Sequence, residues 1–353
     1  MSDISLELQA QVTNAIKNNQ PLTIKGGGSK SFMGRETDKS LQILDVSGHS
    51  GIVNYEPVEL ILTARAGTPL IEIENALAEN NQMLAFEPPH FSNSATLGGT
   101  LACNQSGPGR PWYGSIRDHV LGIRLINGTG KHLRFGGQVM KNVAGYDVSR
   151  LQAGAMGTLG VITEVSLKIL PKPKAQVTLT WELSAADALQ KMNRLAGTSK
   201  PLTAACWVNG RLYVRLSGAQ SAVDATATQW KGNELEQIGD FWMQLREHSL
   251  SYFDPSLPLW RFSINSAAKL NHIDDHSIID WGGSQRWFSG HAEKKEMQQL
   301  AIKAGGQVSL FSGGDREDVM HEPQSALKAL QKNIKKSFDP AGIFNPGRVY
   351  KWM

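Results

Sequence analysis

Clusters of glycine are the residues of this chain whose spacing indicates chemistry. Residues 26–28 are three consecutive glycines, preceded by a short apolar run at residues 21–24 and followed by Ser29, Lys30 and Ser31. Because glycine has no Cβ, it permits positive φ and lets backbone N–H groups approach an anion or a flat ring closely. The segment could therefore form a nest for a pyrophosphate, although an ordinary turn would show the same pattern. The G-x-x-x-x-G-K-[ST] spacing of a Walker A loop is absent.

Glycine recurs between residues 94 and 169. Gly98 and Gly99, and later Gly157 and Gly160, stand between apolar runs too short for helices and lead into strand-like segments. This pattern predicts loops at the ends of strands. A single glycine in such a place is typical of a tight turn, whereas the whole cluster favours a cradle for a cofactor. The other glycines of the cluster are Gly107, Gly109, Gly114 and Gly154.

Hydrophobic periodicity predicts the elements that would position these loops. Apolar residues on one helical face predict an amphipathic helix over residues 6–18 and another over residues 70–80. Two strands are predicted within residues 116–135, on either side of an Asn-Gly-Thr-Gly turn. Lys141 and Asp147 would pair with each other or cap the short helix that follows.

The composition changes at the Pro-Lys-Pro-Lys run of residues 171–174, which predicts a domain boundary. Beyond it, the alternation of elements predicts an antiparallel sheet with helices on one face. Asn209-Gly210 is a strong hairpin signal, and Gly282-Gly283 marks a second hairpin. The predicted helices cover residues 185–195, 230–250, 293–304 and 323–338, and the predicted strands outside the hairpins cover residues 177–183, 260–264 and 308–311.

Composition excludes several classes of function. The chain has 353 residues and a net charge of +4, and its basic residues form no stripe with interleaved aromatics, so nucleic-acid binding is not expected. Cys103 and Cys206 are the only cysteines, which leaves no disulfide framework and no ligand set for an iron–sulfur cluster. Residues 1–19 have no continuous apolar core, so neither a signal peptide nor a membrane span is expected. We expect a cytoplasmic protein.

Four segments together resemble one known family. They read A-T-L-G-G-T-L-A-C-N-Q-S-G (95–107), Y-G-S-I-R-D-H-V-L-G-I (113–123), K-N-V-A-G-Y-D-V-S-R-L (141–151) and G-T-L-G-V-I-T-E-V-S-L-K-I-L-P-K-P (157–173). These motifs resemble the FAD-binding domain of the vanillyl-alcohol oxidase (PCMH-type) flavoproteins, and within them the glycolate oxidase and D-lactate dehydrogenase branch. The short chain and its D-P-A-G-I-F-N-P-G-R ending resemble more narrowly the small FAD-binding (GlcE-type) subunits of bacterial glycolate oxidases.

The resemblance implies an α+β fold with a division of the chain into three parts. A two-subdomain PCMH-type FAD-binding domain would cover residues 1–172, and a smaller cap domain with an antiparallel sheet would cover residues 173–322. The C-terminal segment, residues 323–353, would fold back onto the FAD-binding domain.

The resemblance also implies which residues bind FAD. Some relatives tether the flavin through a histidine in the first glycine loop, where this chain has Ser29 and Lys30, so non-covalent FAD is expected. The implied cofactor-binding residues are Gly26, Gly27, Gly28, Ser29, Lys30, Ser31, Pro88, Thr96, Leu97, Gly98, Gly99, Ala102, Asn104, Gly107, Tyr113, Gly114, Ser115, Gly157, Gly160, Val161, Ile162 and Asn345.

The region of the predicted cap carries no recognisable substrate site. Relatives that oxidise 2-hydroxy acids with a catalytic metal have an H-x-G-D-G-N type segment there, and this chain does not. His272 and His276 are spaced like metal ligands on a helix, but their acidic, turn-prone surroundings favour a surface loop. His291 and Asp315 stand in separate glycine-containing turns. The sequence therefore predicts no metal site and assigns no catalytic residue.

These observations favour a subunit of a complex over a complete enzyme. The resemblance implies the FAD-binding subunit of a glycolate (2-hydroxy acid) oxidase, with a larger FAD-binding catalytic subunit and an iron–sulfur subunit as partners. Any membrane contact would be made through those partners. Two alternatives stay open: a self-sufficient FAD-dependent D-2-hydroxy-acid dehydrogenase, which glycolate or D-lactate would reduce, and a non-catalytic assembly protein without cofactor.

Overall fold

A computed structural model describes residues 2–137, 147–234, 238–270 and 273–353. Lys141 and His272 lie outside these ranges, and so do the contacts predicted for them. Asp147 caps the helix that follows it, since its side chain accepts a hydrogen bond from the backbone N–H of Arg150. In the described ranges, no helix combines the length and the apolar character that a membrane span requires.

The first half of the chain contains mostly short elements. Its helices are Ser5–Lys17 (α1), Leu70–Ala78 (α2), Leu97–Cys103 (α3), Arg110–Tyr113 (α4), Ile116–His119 (α5) and Val148–Leu151 (α6). Its strands are Leu22–Lys25 (β1), Gln42–Asp45 (β2), Ile52–Glu56 (β3), Ile61–Arg65 (β4), Gln82–Met83 (β5), Val120–Ile126 (β6), His132–Gly136 (β7), Val161–Lys168 (β8) and Leu170–Pro171 (β9).

One five-stranded sheet, two strand pairs and one hydrophobic core organise this half, and β5 and β9 form the antiparallel one of the two pairs. Five antiparallel strands follow the order β3-β4-β8-β6-β7, while β1 and β2 form a separate parallel pair. The helix predicted over residues 6–18 is confirmed as α1, whose Leu8, Val12 and Ala15 recur at helical spacing and are buried in the core. The loop that follows β1 and the loop that precedes β8 are thereby each attached to a strand of these sheets.

The second half of the chain is built on longer strands. Its strands are Ala175–Glu182 (β10), Leu202–Val208 (β11), Arg211–Gly218 (β12), Asn233–Glu234 (β13), Leu259–Ser263 (β14), Ser277–Asp280 (β15), Gln285–Ser289 (β16) and Gln307–Ser312 (β17). Its helices are Ala185–Ala196 (α7), Gln220–Trp230 (α8), Ile238–Arg246 (α9) and Lys294–Lys303 (α10). We call this region together with the segment that follows β17, residues 175–322, the cap.

The cap is one eight-stranded sheet in the order β13-β10-β12-β11-β15-β16-β14-β17. Every strand pairing in it is antiparallel, which confirms the predicted α+β class with an antiparallel cap sheet. Both predicted hairpins are confirmed: β11 and β12 meet at Asn209-Gly210, where both residues have positive φ, and β15 and β16 meet at Gly282-Gly283.

Helices cover both faces of the cap sheet, so the prediction of helices on one face is wrong. The helices α7, α8 and α10 pack on one face, where α7 covers the side chains of Leu212 and Val214. The helix α9 lies on the opposite face, against Ala204, Cys206 and Val208. Side chains alternate along a strand, so β11 presents apolar residues to both faces and each face needs a cover.

The chain ends with the helix Ser325–Phe338 (α11) and a segment that returns to the first half. Leu22 of β1 forms a parallel bridge with Phe344. The side chains of Ile343 and Phe344 are fully buried in the core of the first half. The last residues of the chain thereby lie beside the glycine loop that follows β1.

The loop predicted at Gly98 and Gly99 is wrong, because both residues lie in the first turn of α3. The Thr96 side chain caps this helix by accepting a hydrogen bond from the Gly99 amide at 3.3 Å. Two adjacent glycines are poor helix formers, which is why the sequence pattern did not indicate a helix. The strand predicted after Gly157–Gly160 is confirmed as β8.

Two element boundaries also differ from the prediction. The helix predicted over residues 230–250 is wrong in its first part: α8 ends at Trp230, because Lys231 adopts a left-handed conformation with φ of 51°. Among the described residues of the predicted range, α9 is the helix that begins and ends within it. Residues 116–119 form the helical turn α5 before β6, and a capping box between Ser115 and Asp118 starts this turn.

Candidate functional site

A cavity of about 520 Å³ opens between the glycine loop after β1, the helix α3 and the C-terminal segment. Its volume lies within the range of roughly 300–1,000 Å³ that small-molecule and cofactor pockets occupy. Four stretches of the sequence that were predicted to bind one ligand meet here. The predicted residues that line the cavity are Gly26, Gly27, Gly28, Ser29, Lys30, Ser31, Thr96, Gly98, Gly99, Ala102, Gly157, Gly160, Ile162 and Asn345.

The first glycine loop and the segment before α3 touch each other directly. A Cβ built on Gly27 would lie 1.5 Å from the backbone oxygen of Ser94, so no other residue fits at this position without a shift of the backbone. The Ser94 hydroxyl in turn donates a hydrogen bond to the Gly27 carbonyl at 2.6 Å. Gly28 has φ of 76°, which a side chain would strain. The loop is thus held in one shape by contacts that only glycine allows.

The same loop presents unused hydrogen-bond donors. Within the described part of the chain, the amides of Gly27, Gly28 and Ser29 donate to no acceptor. All three residues are partly buried at the cavity wall. Successive amides that point into a concavity form an anion-binding nest, and a diphosphate supplies acceptors of the right kind. The donor set therefore fits the diphosphate of a dinucleotide cofactor.

The two glycines of α3 serve different purposes. A Cβ on Gly98 would lie 2.6 Å from the Cβ of Ala66, so this glycine lets α3 pack against the neighbouring chain. A Cβ on Gly99 would meet only the Thr96 hydroxyl, at 3.1 Å. Both glycines line the cavity, but only Gly99 leaves room between backbone and neighbours. That room is available to a ligand.

Asn345 joins three segments at the cavity wall. Its side-chain oxygen accepts a hydrogen bond from the Ile24 amide at 2.7 Å, and its amide group donates to the Met156 carbonyl at 2.6 Å. The side chain is buried. Asn345 therefore holds β1, the C-terminal segment and the loop before β8 in register.

Eight predicted site residues do not line the cavity, and their contact with a cofactor stays a prediction. Leu97 and Val161 belong to the hydrophobic core. The Gly107 carbonyl accepts a hydrogen bond from the indole of Trp281 in the cap. The other five are Pro88, Asn104, Tyr113, Gly114 and Ser115.

Three cations surround the end of the cavity that faces the cap. The Lys30 side chain is 7% exposed, and its ammonium has only long contacts, 3.4 Å to Ser29 Oγ and 3.5 Å to the His90 carbonyl. Arg316, just after β17, and Arg348, near the C-terminus, line the same cavity. Burial lowers the pKa of all three, that of Arg316 to about 10 with a contribution from the nearby Arg348 charge.

Sequence reasoning missed Arg316 and Arg348 as part of this site. Arg348 stands in the C-terminal motif that was singled out, so a signal for it existed. Arg316 follows a Gly-Gly-Asp turn that carries no recognisable motif. It reaches the cavity because the cap packs over the cavity. Its guanidinium donates to the carbonyls of Leu310 and Gly34, which ties the cap to the segment after the glycine loop.

Aromatic rings fill the space between the cavity and the cap sheet. We call Phe91, His248, Phe253, Trp287 and Phe311 the aromatic cluster. The imidazole of His248 stacks on Phe253 with 4.3 Å between ring centroids and contacts the other three rings at 4.5–5.2 Å. Burial, together with the charge of Arg261, lowers the pKa of His248 to about 3, so the ring is neutral near pH 7.

The cavity wall offers little for proton transfer. Among the described residues that line it there is no histidine, aspartate or tyrosine. Glu36 is the carboxylate of the lining, and it is exposed and paired with Lys39 at 3.1 Å. Abstraction of a hydroxyl proton requires a base within hydrogen-bond reach of the substrate. The buried ionisable side chain of the described wall is the cation Lys30, and the wall supplies no buried carboxylate or imidazole as a base.

Comparisons with known proteins give a family for most of the first half of the chain and a related fold for nearly the whole chain. Residues 5–136 match a family described as an FAD binding domain. A solved structure of alkyldihydroxyacetonephosphate synthase shares the fold with a TM-score of 0.65 at 18% identity, over 97% of this chain and 75% of that chain.

Curated relatives extend the match over the full length. A D-lactate dehydrogenase of Archaeoglobus fulgidus is 23% identical over 98% of this chain and 90% of its own. The glycolate oxidase subunit GlcE of Escherichia coli K12 is 46% identical over 349 residues, which are 99% of this chain and 98% of that protein. With FAD as the cofactor of its matched domain, this chain belongs to the FAD-binding oxidoreductases, in the family of the glycolate oxidase subunit GlcE.

Proposed function

We propose that this chain is the FAD-binding subunit of a glycolate oxidase complex, which oxidises glycolate to glyoxylate and passes the electrons through flavin to partner subunits. The observation that carries the proposal is the cavity in which the glycine loop after β1, the two glycines of α3 and Asn345 converge. The similarity to the subunit GlcE supports the assignment of the complex and its substrate.

FAD would lie with its diphosphate against the amides of Gly27, Gly28 and Ser29, and its binding would be non-covalent because Ser29 and Lys30 offer no histidine tether. Gly157, Gly160 and Ile162 would line the side of the cavity next to β8. When bound, FAD supplies reversible two-electron redox chemistry. The residues of this chain hold the cofactor, orient it toward the cap and exclude water from it.

The relay of electrons, rather than the oxidation of substrate, is the role that the wall of this cavity favours. A 2-hydroxy acid needs a base for its hydroxyl proton, and Glu36 is exposed and paired. His248 is the imidazole next to this end of the cavity, but it stacks within the aromatic cluster and does not line the cavity. These features support a catalytic centre on a partner subunit.

The partners that fit this role are a larger FAD-binding catalytic subunit and an iron–sulfur subunit. A relay flavin needs an electron donor and an electron acceptor, and the two cysteines of this chain cannot hold a cluster of their own. We further propose that the complex is cytoplasmic and reaches a membrane only through partner subunits. The proposed domains are an FAD-binding domain at residues 1–172, a cap at 173–322 and a C-terminal segment at 323–353.

One alternative has an observation in its favour. The D-lactate dehydrogenase of Archaeoglobus fulgidus aligns with 98% of this chain, which would fit a self-sufficient dehydrogenase. That alternative requires the purified chain to react with a hydroxy acid without any partner. The second alternative, a non-catalytic assembly protein without cofactor, predicts that the purified protein is colourless.

The test of the cofactor site is the substitution Gly99→Leu. The new side chain would enter the space beside α3, and overpacking of about 1–3 kcal/mol would weaken FAD binding by roughly 5- to 150-fold. The FAD released on denaturation of the purified protein is measured. Gly197→Leu is the matched control, since Gly197 ends α7 away from the cavity and its nearest neighbour would be 3.6 Å away.

Loss of FAD from Gly99→Leu with retention in Gly197→Leu would support the site. Retention of FAD in both variants would refute it. Gly98→Leu is unsuitable for this purpose, because the clash with Ala66 would disturb the packing of α3 whether or not a cofactor binds.

A further inference from the structure

The loop of residues 87–91, on the FAD-binding side, contains two residues in an unfavourable backbone conformation. Glu87 has φ of 48° and Phe91 has φ of 56°. A left-handed conformation costs free energy at a residue other than glycine, and it persists where the surrounding structure holds it in place. We call residues 87–91 the strained loop. The contacts that hold it identify what it depends on.

The cap holds the strained loop at both ends. At one end, the Glu87 carboxylate pairs with Arg215 of β12 at 2.7 Å. At the other end, Oε2 of Glu247 accepts the backbone amides of His90 at 3.0 Å and Phe91 at 2.8 Å. Hydrogen bonds to an ionised acceptor are stronger than those between neutral groups. The cap therefore supplies the contacts that keep the positive φ of this loop in place.

The strained loop reaches the wall of the cavity on its other side. The His90 carbonyl accepts a long hydrogen bond from the Lys30 ammonium at 3.5 Å. The ring centre of Phe91 lies 5.4 Å from that of Phe32 and 5.7 Å from the same ammonium. Lys30 and Phe32 both line the cavity. The peptide groups of the strained loop thus connect the Glu247 carboxylate to the cavity wall.

Glu247 is itself held in position for this contact. It directly follows α9, and the Nε atom of Arg246 donates to its Oε1 at 2.7 Å. The next residue, His248, belongs to the aromatic cluster and lies 5.2 Å from the ring centre of Phe91. Two consecutive residues of the cap therefore contact the strained loop, one through its backbone amides and one through its aromatic ring.

We propose that Glu247 is a positioning residue of the cofactor site, which holds the strained loop against Lys30 and Phe32 and so keeps this wall closed around bound FAD. The inference rests on the proposed function and names the cap contact that retains the cofactor. Glu247 does not line the cavity, so it acts through the amides of His90 and Phe91. Without this acceptor, the loop relaxes and the wall opens.

The proposal predicts that FAD leaves faster when the acceptor is removed. In Glu247→Met, which has no oxygen for either amide, the dissociation rate constant of FAD should rise about tenfold. Glu247→Gln keeps one carbonyl oxygen for the two amides and should stay within about threefold of the unchanged protein. The purified holoprotein is diluted, and the fluorescence of the released FAD is followed with time. Should Glu247→Met not fold, Glu247→Asp carries the same expectation, because its carboxylate is one methylene shorter.

The matched control is Asp274→Asn, which loosens the cap without touching the strained loop. Asp274 pairs with Arg286 at 2.8 Å. Arg286 precedes Trp287 of the aromatic cluster in β16, so its side chain lies on the opposite face of the cap sheet. Asp274→Asn should lower the free energy of unfolding, measured with urea, and leave the dissociation rate of FAD unchanged. A purely structural role of Glu247 would give the same result for Glu247→Met.

An unchanged dissociation rate in Glu247→Met with FAD bound would overturn the proposal and leave the proposed function intact. An equal acceleration in Asp274→Asn would also overturn it, because any loosening of the cap would then release FAD. An equal acceleration in Glu247→Gln would assign the effect to the charge of Glu247 rather than to its hydrogen bonds, and the proposal would be wrong. If the unchanged protein holds no FAD, the proposed function itself is refuted, and the proposal with it.

Discussion

The two sides of the cavity differ in the chemistry that they present to it. The FAD-binding side presents backbone: glycines, free amides and the ends of β1 and α3. The cap presents Arg316, and the space behind this residue is filled by the aromatic cluster. The first side binds through its backbone and also carries Lys30 and Arg348, whereas the second closes the cavity and adds Arg316 without a carboxylate or imidazole in the lining. This difference is why a relay of electrons fits the protein better than the oxidation of a substrate.

The two sides also differ in how they are held in place. The FAD-binding side depends on close approaches of backbone, such as that of Gly27 to Ser94, and on a C-terminal anchor. The cap is attached to it by a few buried polar contacts, including the ion pair between Arg215 and Glu87 at 2.7 Å. Substitutions in these two attachments should have separable effects, and the following predictions use them.

The largest effect is expected for Lys335→Met in the C-terminal anchor. The Lys335 ammonium donates to the Asp339 carboxylate and to the carbonyls of Thr158 and Phe344, at 2.7–2.9 Å. Removing one partner of a buried ion pair costs about 3–5 kcal/mol, because the other charge stays buried. Urea denaturation measures the loss. The neighbouring Lys336→Met is the control and should change the free energy of unfolding by less than about 0.5 kcal/mol, since Lys336 is exposed. Equal effects of the two variants would contradict the anchor.

A somewhat smaller effect is expected for Arg215→Met, which separates the cap from the FAD-binding side. Glu87 keeps 21% of its side chain exposed, so the loss should lie near the lower limit of about 3 kcal/mol for a buried pair. The control is Arg211→Met in the same strand, whose pair with Glu182 is exposed and contributes about 0–1 kcal/mol. The free energy of unfolding is measured for both. A loss below that of the control would mean that this ion pair does not attach the cap.

The smallest effect concerns pH and tests whether the aromatic cluster excludes water. The pKa of His248 is about 3 in the folded protein and 6.5 in the unfolded chain. Below pH 6.5 the His248 imidazole is protonated in the unfolded chain but stays neutral in the folded protein. The free energy of unfolding therefore decreases as the pH falls. His248 as a whole is partly buried, so between pH 7.5 and 5.5 we expect a loss of about 1 kcal/mol that His248→Phe lacks. An identical pH dependence of the two proteins would show that the cluster is hydrated.

Much of this organisation could be predicted from the sequence where the cause is local. The hairpin at Asn209-Gly210 follows from two residues that tolerate positive φ, and α1 follows from the spacing of its apolar residues. The glycine loop after β1 could be predicted from three consecutive glycines that follow a strand, but its role as a nest stays a prediction, since an ordinary turn would show the same pattern. In each case the residues that decide the structure are neighbours in the sequence.

The rest depends on residues that are distant in the sequence. The helical position of Gly98 and Gly99 results from capping by Thr96 and from packing against Ala66, both of which override their poor helix propensity. Arg316 reaches the cavity only through the closure of the cap, and no local pattern marks it. The helix α9 lies on the second face of the cap sheet because the other face is already covered.

The central claim is that this chain binds FAD but leaves the oxidation of the hydroxy acid to a partner. The most direct test is anaerobic addition of glycolate, and separately of D-lactate, to the chain purified alone, followed by the visible spectrum. We predict a yellow protein that releases FAD on denaturation and whose flavin stays oxidised with either acid, while an artificial reductant bleaches it. Bleaching by glycolate or D-lactate alone would contradict the account and establish a self-sufficient dehydrogenase.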